Sequence, residues 1–150
     1  LRAFESSKPV IIRNPNATRP WQHVLEPLSG YLILAEKLFK NPSVFSEGWN
    51  FGPYDQDVKP VSWILDQMIS LWPGASWNLD QGDNPHEAKL LKLDISKAST
   101  TLGWTPTWNL DTTLAKIVRW QNSFSKGSDM RAECINEINE FAEDMRYANN

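Results

Sequence analysis

One cysteine stands among 150 residues. A single thiol excludes a disulfide within the chain and any zinc site built from several cysteines. Cys134, beside Ile135 in a helical pattern, reads as a buried and unreactive thiol. Histidine is nearly as scarce. His23 and His86 lie far apart without metal-motif spacing, so both read as polar loop residues rather than metal ligands. The glycines are Gly30, Gly48, Gly52, Gly74, Gly82, Gly103 and Gly127. No two are spaced two or three apart, which excludes a glycine-rich dinucleotide fingerprint, and no P-loop can be assembled. A G-x-S-x-G nucleophile turn is absent as well. So is a tyrosine whose phenol is made acidic by a lysine four residues later on one helix face. Ala35 follows Tyr31 at that spacing, Val58 follows Tyr54, and Tyr147 lies too near the end.

The charge balance is −3, with no electrostatic footprint for nucleic acid or an anionic membrane. No apolar run approaches the roughly 18 residues of a membrane span, and no signal-peptide pattern opens the chain. A cytoplasmic location is expected. The first residue is Leu1 rather than Met, and a preceding segment is expected. What is abundant is tryptophan, with eight residues, read first as packing because indole buries a large area and keeps one polar handle. A hydrophobic content of 41% and a charged content of 22% are globular values, and the length is that of one domain.

The period of the apolar residues changes along the chain. Residues 1–8 read as the end of a helix stopped by Pro9. Val10, Ile11 and Ile12 form a β-branched strand closed by Asn14-Pro15-Asn16. Arg19-Pro20-Trp21 continues as a loop or edge strand, since proline cannot donate to a ladder. Pro27 suits a first helical turn, and Leu28, Tyr31, Leu32, Ala35, Leu38 and Phe39 follow at helical spacing up to Asn41-Pro42. Residues 49–52, Trp-Asn-Phe-Gly, read as a short strand. Pro60 opens a helix with Val61, Ile64, Leu65, Met68, Ile69 and Trp72 on one stripe, ended by Pro73-Gly74. Trp77 and Leu79 alternate with polar residues as a strand. Asp94 caps a short helix that stops at Gly103. Asn109 or Asp111 caps the next, and a final amphipathic helix carries Ile135, Ile138, Phe141, Ala142 and Met145. The fold class is α/β, about five helices with a few short strands. The strands are too few in a row for a self-contained doubly wound sheet.

Three stretches carry a family resemblance. Arg19-Pro20-Trp21-Gln22-His23-Val24, running into Leu25-Glu26-Pro27, is similar to the R-D-W-x-x-V-x-D stretch of sugar-nucleotide dehydratases, with Pro20 in place of the Asp. Trp49-Asn50-Phe51-Gly52 is similar to a Y-N-I-G strand. Leu93-Asp94-Ile95-Ser96-Lys97-Ala98, leading to Leu102-Gly103-Trp104-Thr105-Pro106, closely resembles D-x-x-K-x-x-x-x-L-G-W-x-P. Together they resemble the nucleotide-sugar dehydratases of the extended short-chain dehydrogenase/reductase family, over nearly the whole chain. The long block 13–28, with Pro85-His86-Glu87-Ala88, is most similar to members that act on CDP-glucose. The resemblance implies the carboxyl-terminal, substrate-binding part of such an enzyme, residues 1–150, with the Rossmann portion missing. It implies a bound NAD and acid/base residues that lie upstream, hence no catalytic, cofactor-binding or metal residue in this chain. It also implies a CDP-glucose or related nucleotide-sugar ligand, and a homo-oligomer at full length.

The chemistry of the residues fits that role. A nucleoside-diphosphate sugar brings two phosphates, and an arginine fork meets such oxygens with charge-assisted bonds. Arg19, held in a proline-stiffened segment, is the leading candidate and Arg13 the second. Trp21 either walls a nucleotide pocket or plugs the loop. Gln22 and His23 offer neutral hydrogen bonds to base or ribose, as does His86. Glu87 is placed to accept from ribose hydroxyls. Related GDP-mannose dehydratases carry an R-P-x-E there, whose arginine is replaced here by Asn84. Asn50 is read as orienting Arg19 or a phosphate. Lys97, Trp104 and Trp108 are read as structural. Two other readings remain open at this point: another extended short-chain epimerase or dehydratase, and a non-catalytic sugar-binding module using tryptophan platforms. The helical settings of Trp63, Trp72 and Trp120 argue against the second.

Overall fold

The computed structural model describes residues 1–82 and 88–148. The elements in order are α1 (Arg2–Glu5), β1 (Val10–Ile12), β2 (Thr18–Pro20), α2 (Leu25–Lys40), α3 (Pro42–Phe45), β3 (Val58–Pro60), α4 (Val61–Leu71), β4 (Trp77–Leu79), α5 (Leu110–Ser125) and α6 (Met130–Ala148). Among the described residues the strands form two separate pairs. β1 and β4 run parallel with Val10 opposite Trp77, and β2 and β3 run antiparallel with Arg19 opposite Lys59. The mixed α/β class is as expected, and helix dominates.

Local chemistry explains the boundaries. Pro27 lies in the first turn of α2, where a missing N–H costs nothing. Pro42 opens α3 and Pro60 immediately precedes α4. Asn109 caps α5 by accepting the Thr112 N–H at 2.9 Å. Asp94 accepts the Ser96 N–H at 2.8 Å, ahead of a helical turn that ends at Gly103 with φ 70°. That left-handed backbone conformation favours glycine.

Two clusters form the core. Phe51, Ala98, Leu102 and Trp104 make one, with Ile33 and Leu34 of α2 packed on it; Ile64, Leu110 and Leu114 make the other, against Trp21, Trp63 and Met68. The clasp between α2 and the 104–108 loop is a carboxylate. Glu26 is fully buried and accepts the Thr107 N–H at 2.9 Å and the Trp108 N–H at 2.7 Å. Ser29 completes it by accepting the Trp104 indole N–H at 2.9 Å. Trp104 and Trp108 are buried, as their structural reading requires.

Three expectations are corrected. Residues 49–52 form no strand and have no ladder partner among the described residues. Cys134 is exposed, because α6 turns it to the rim of an apolar groove, where Trp120 donates its indole N–H to the sulfur at 3.3 Å. The regular apolar set of α2 does not face the core: Leu28, Tyr31, Leu32 and Phe39 are exposed, and the inward face is Glu26, Gly30, Ile33 and Leu34. Gly30 sits there because Phe51 crosses it so closely that a Cβ would stand 2.3 Å from the ring.

Candidate nucleotide-binding site

The site grows from β2. The residue before a proline is pushed to extended backbone, and two triplets exploit this: Thr18-Arg19-Pro20 and Val58-Lys59-Pro60. They pair antiparallel with Arg19 directly across from Lys59. Opposed residues project from the same sheet face with Cβ atoms about 4.5–5.5 Å apart, and like charges so placed repel. Lys59 was not singled out from sequence; the shared basic-proline spacing is the signal that identifies it, once the strands are paired.

The other edge of β2 meets the chain beyond the 83–87 stretch. Thr18 bridges Leu90 in parallel, its N–H donating to the Lys89 carbonyl at 2.8 Å while Leu91 N–H donates back at 3.1 Å. The Arg19 guanidinium is half-buried, and its Nη1 donates to the carbonyls of Thr18 and Ala88, both at 2.9 Å. These bonds hold the guanidinium against Ala88, the first described residue after that stretch. His86 and Glu87 themselves lie outside the described residues. Arg13 is exposed in the turn between β1 and β2.

Trp21 plugs the loop. It packs on the Ile64–Leu110–Leu114 cluster and donates its indole N–H to the Lys59 carbonyl at 2.9 Å, tying the exit of β2 to β3. Lys59 in turn holds its ammonium 5.5 Å from the Trp63 ring centroid. Gln22 points inward. Its Nε2 donates to the Phe51 carbonyl at 2.9 Å, and its buried Oε1 has no partner among the described residues. Asn50 donates to the Asp94 carbonyl at 3.2 Å, so its amide is tied to the 94 loop rather than to Arg19.

His23 lies in the loop before α2, as the sequence suggests, but faces inward. It is buried edge-on against Trp108, with ring centroids 4.9 Å apart. Its Nδ1 accepts the Leu25 N–H at 3.3 Å, and its Nε2 lies 2.8 Å from Glu137 Oε1 of α6. That pattern requires the neutral ring with the proton on Nε2. Burial, then the charge of Lys116, lowers its pKa to about 4. Burial pushes the Glu137 carboxyl upward, while Arg119 and Lys116 pull it down. Both ring nitrogens therefore serve the α2–α6 junction.

The structure brings Arg19, Trp21 and Lys59 together around the β2–β3 pair, and it turns Gln22, His23 and Asn50 to contacts within the fold. No group of three or more His, Cys, Asp or Glu among the described residues could hold a metal ion, and no described helix is long and apolar enough to cross a membrane. A dinucleotide cofactor does not fit these residues either. Gly30 and Gly52 are filled by Phe51 and Leu93, and the glycines at positive φ (Gly74, Gly103, Gly127) stand singly.

No family model matches the chain. It is, however, 53% identical over 142 residues, 94% of its length, to the CDP-glucose 4,6-dehydratase of Salmonella typhimurium. It spans 40% of that enzyme's length. The chain is a partial homologue of CDP-glucose 4,6-dehydratase.

Proposed function

We propose that these 150 residues are the substrate-binding portion of a CDP-glucose 4,6-dehydratase. The observation that carries the reading is 53% identity sustained over 142 residues, which spans both the β2–β3 pair and the Glu26 clasp. A bound NAD would supply the hydride-transfer chemistry that a 4,6-dehydration of the glucose needs. That cofactor and the acid/base residues belong to the part of such an enzyme that this chain does not match, and the 150-residue chain does not turn substrate over alone.

The role of this chain is to hold the nucleotide end. Arg19 and Lys59, facing across β2–β3, supply two positive charges to a diphosphate, and Arg13 stands at the adjoining turn. Trp21 and the carbonyl contacts of Arg19 keep this pair in register. Glu87 and His86, in the neighbouring stretch, supply polar groups for ribose and base. The enzyme works as a homo-oligomer in the cytoplasm.

Nucleotide competition tests this reading. CDP, added to the protein joined to its cofactor part, is expected to displace CDP-glucose where UDP, GDP and dTDP do not. Equal competition by all four undoes the cytidine assignment. Arg19→Ala is expected to weaken substrate binding by about 1.5–3 kcal/mol, the range for a hydrogen bond to a charged group. An unaltered dissociation constant refutes the clamp.

A further inference from the structure

Between the end of β2 and the start of α2 the chain runs through residues 21–24. Three consecutive side chains there each hand one N–H to a different element. Trp21 donates to the Lys59 carbonyl and Gln22 to the Phe51 carbonyl, both at 2.9 Å. His23 donates from Nε2 to Glu137 of α6, 2.8 Å away. The first two acceptors are backbone. Only the third is a side chain, and it comes from the last helix.

These ties matter because β2 pairs with β3 over three positions only. A two-stranded pair is marginal on its own in water, so the direction of Arg19 depends on anchors at the strand ends. Thr18 is held at one end by its bridge to Leu90. At the other end the chain passes from Arg19 to His23, whose ring is locked on both nitrogens, with the Leu25 N–H on Nδ1.

The seat of α6 fixes where Glu137 stands. By their spacing Glu137, Glu140, Phe141 and Asp144 fall on one helical face. Glu140 accepts from Arg119 with both oxygens, at 3.0 and 2.8 Å, and also from Lys116. Asp144 accepts the Trp108 indole N–H at 2.7 Å, and Phe141 meets the same indole edge-on at 4.9 Å. Ile135 and Ile138, by contrast, are exposed. A helix held by directional bonds has one register, since a slip of one residue turns its face by about 100° and breaks them together. Trp108 also packs edge-on against His23, so the seat of α6 and the ring it anchors share a wall.

We propose that Glu137 is a positioning residue for nucleotide binding: through the hydrogen bond from His23 it fixes the exit of β2, and with it the reach of Arg19 toward a diphosphate. α6 thereby contributes to substrate affinity without touching the substrate. The inference rests on the proposed function and adds one residue to it.

A double-mutant cycle tests this, with CDP as the ligand and the chain fused to the unmatched part of the Salmonella enzyme. Glu137→Leu is expected to raise the CDP dissociation constant on the order of tenfold, part of what losing a charge-assisted bond costs. Glu137→Gln keeps an acceptor for the His23 proton and is expected to bind within about twofold of the parent. In an Arg19→Ala background Glu137→Leu is expected to have no further effect, because residues that act as one unit do not add. The same loss in both backgrounds is what a purely structural role gives, and it overturns the proposal. So does Glu137→Gln binding as weakly as Glu137→Leu, which assigns the effect to the carboxylate charge. If Glu137→Leu does not fold, Glu137→Asp decides, since it keeps the charge and withdraws the acceptor by a methylene. Its CDP affinity is expected to fall in the parent background alone, and parent-like binding overturns the proposal. A loss on Arg19→Ala with none on Glu137→Leu overturns the positioning role and leaves the nucleotide reading intact. Binding that Arg19→Ala leaves unaltered sinks the nucleotide reading, and this inference falls with it.

Discussion

Removing the Glu26 carboxylate is expected to cost this fold a large share of its stability. The side chain is wholly buried, and its two oxygens satisfy the N–H groups of Thr107 and Trp108 at 2.9 and 2.7 Å. Glu26→Ala orphans both donors at about 1–3 kcal/mol each, so the expected loss is about 4 kcal/mol against the 5–15 kcal/mol typical of a domain. Glu26→Gln keeps the volume and one acceptor but turns an amide N–H₂ toward the second donor, an expected loss of about 2 kcal/mol. The pH dependence separates the two roles of this group. Burial raises its pKa above 4.5, and the two backbone N–H groups oppose that rise. With the folded value above the unfolded one, the native state binds more protons in that window. The contribution of Glu26 to stability therefore falls as pH rises from 4.5 through the raised value, then levels. Glu26→Gln should lose that slope. Urea unfolding followed by tryptophan fluorescence, from pH 4.5 to 8, measures both effects. An Ala variant within about 0.5 kcal/mol of the parent, the span of an ordinary surface change, refutes the clasp.

Gly30→Ala sets a methyl 2.3 Å from the Phe51 ring and is expected to cost about 1–3 kcal/mol by overpacking; an unchanged melting temperature contradicts that close approach. His23, with a folded pKa of about 4 against 6.5, contributes stability that is lost as pH falls from 6.5 toward 4, about 3 kcal/mol at most. The raised pKa of Glu137 acts in the opposite sense below neutrality, which reduces the net slope. Replacing His23 with Gln should flatten this acid limb in unfolding curves, and an unaltered limb assigns it to other groups.

Boundaries were legible in the sequence wherever backbone chemistry sets them. Pro27, Pro42, Pro60, Asn109 and Gly103 each act through φ, a missing N–H or a cap, and each marks an element end or first turn in the structure. The 104–108 loop was legible too, because an indole in such a turn has to bury. The direction of α2 was not. Spacing shows that an apolar stripe exists, but both sides of this helix carry apolar residues, and only tertiary contact decides which side meets the core. Residues 49–52 have the composition of a strand, but a strand is a pairing, and composition does not supply the partner. The burial of His23 was not legible because α6, more than a hundred residues later, provides Glu137 as its partner. Lys59 escaped notice because its place across from Arg19 exists only once β2 and β3 are in register.

The central claim is that this chain supplies the substrate-binding portion and another part supplies the chemistry. Incubating CDP-glucose and NAD with the 150-residue chain, and separately with its fusion to the unmatched part of the Salmonella enzyme, measures this directly through the ultraviolet absorbance of the 4-keto product in alkali. Product is expected from the fusion, with none from the chain alone. Turnover by the chain alone, or a folded fusion that binds NAD and yields no product, contradicts the account.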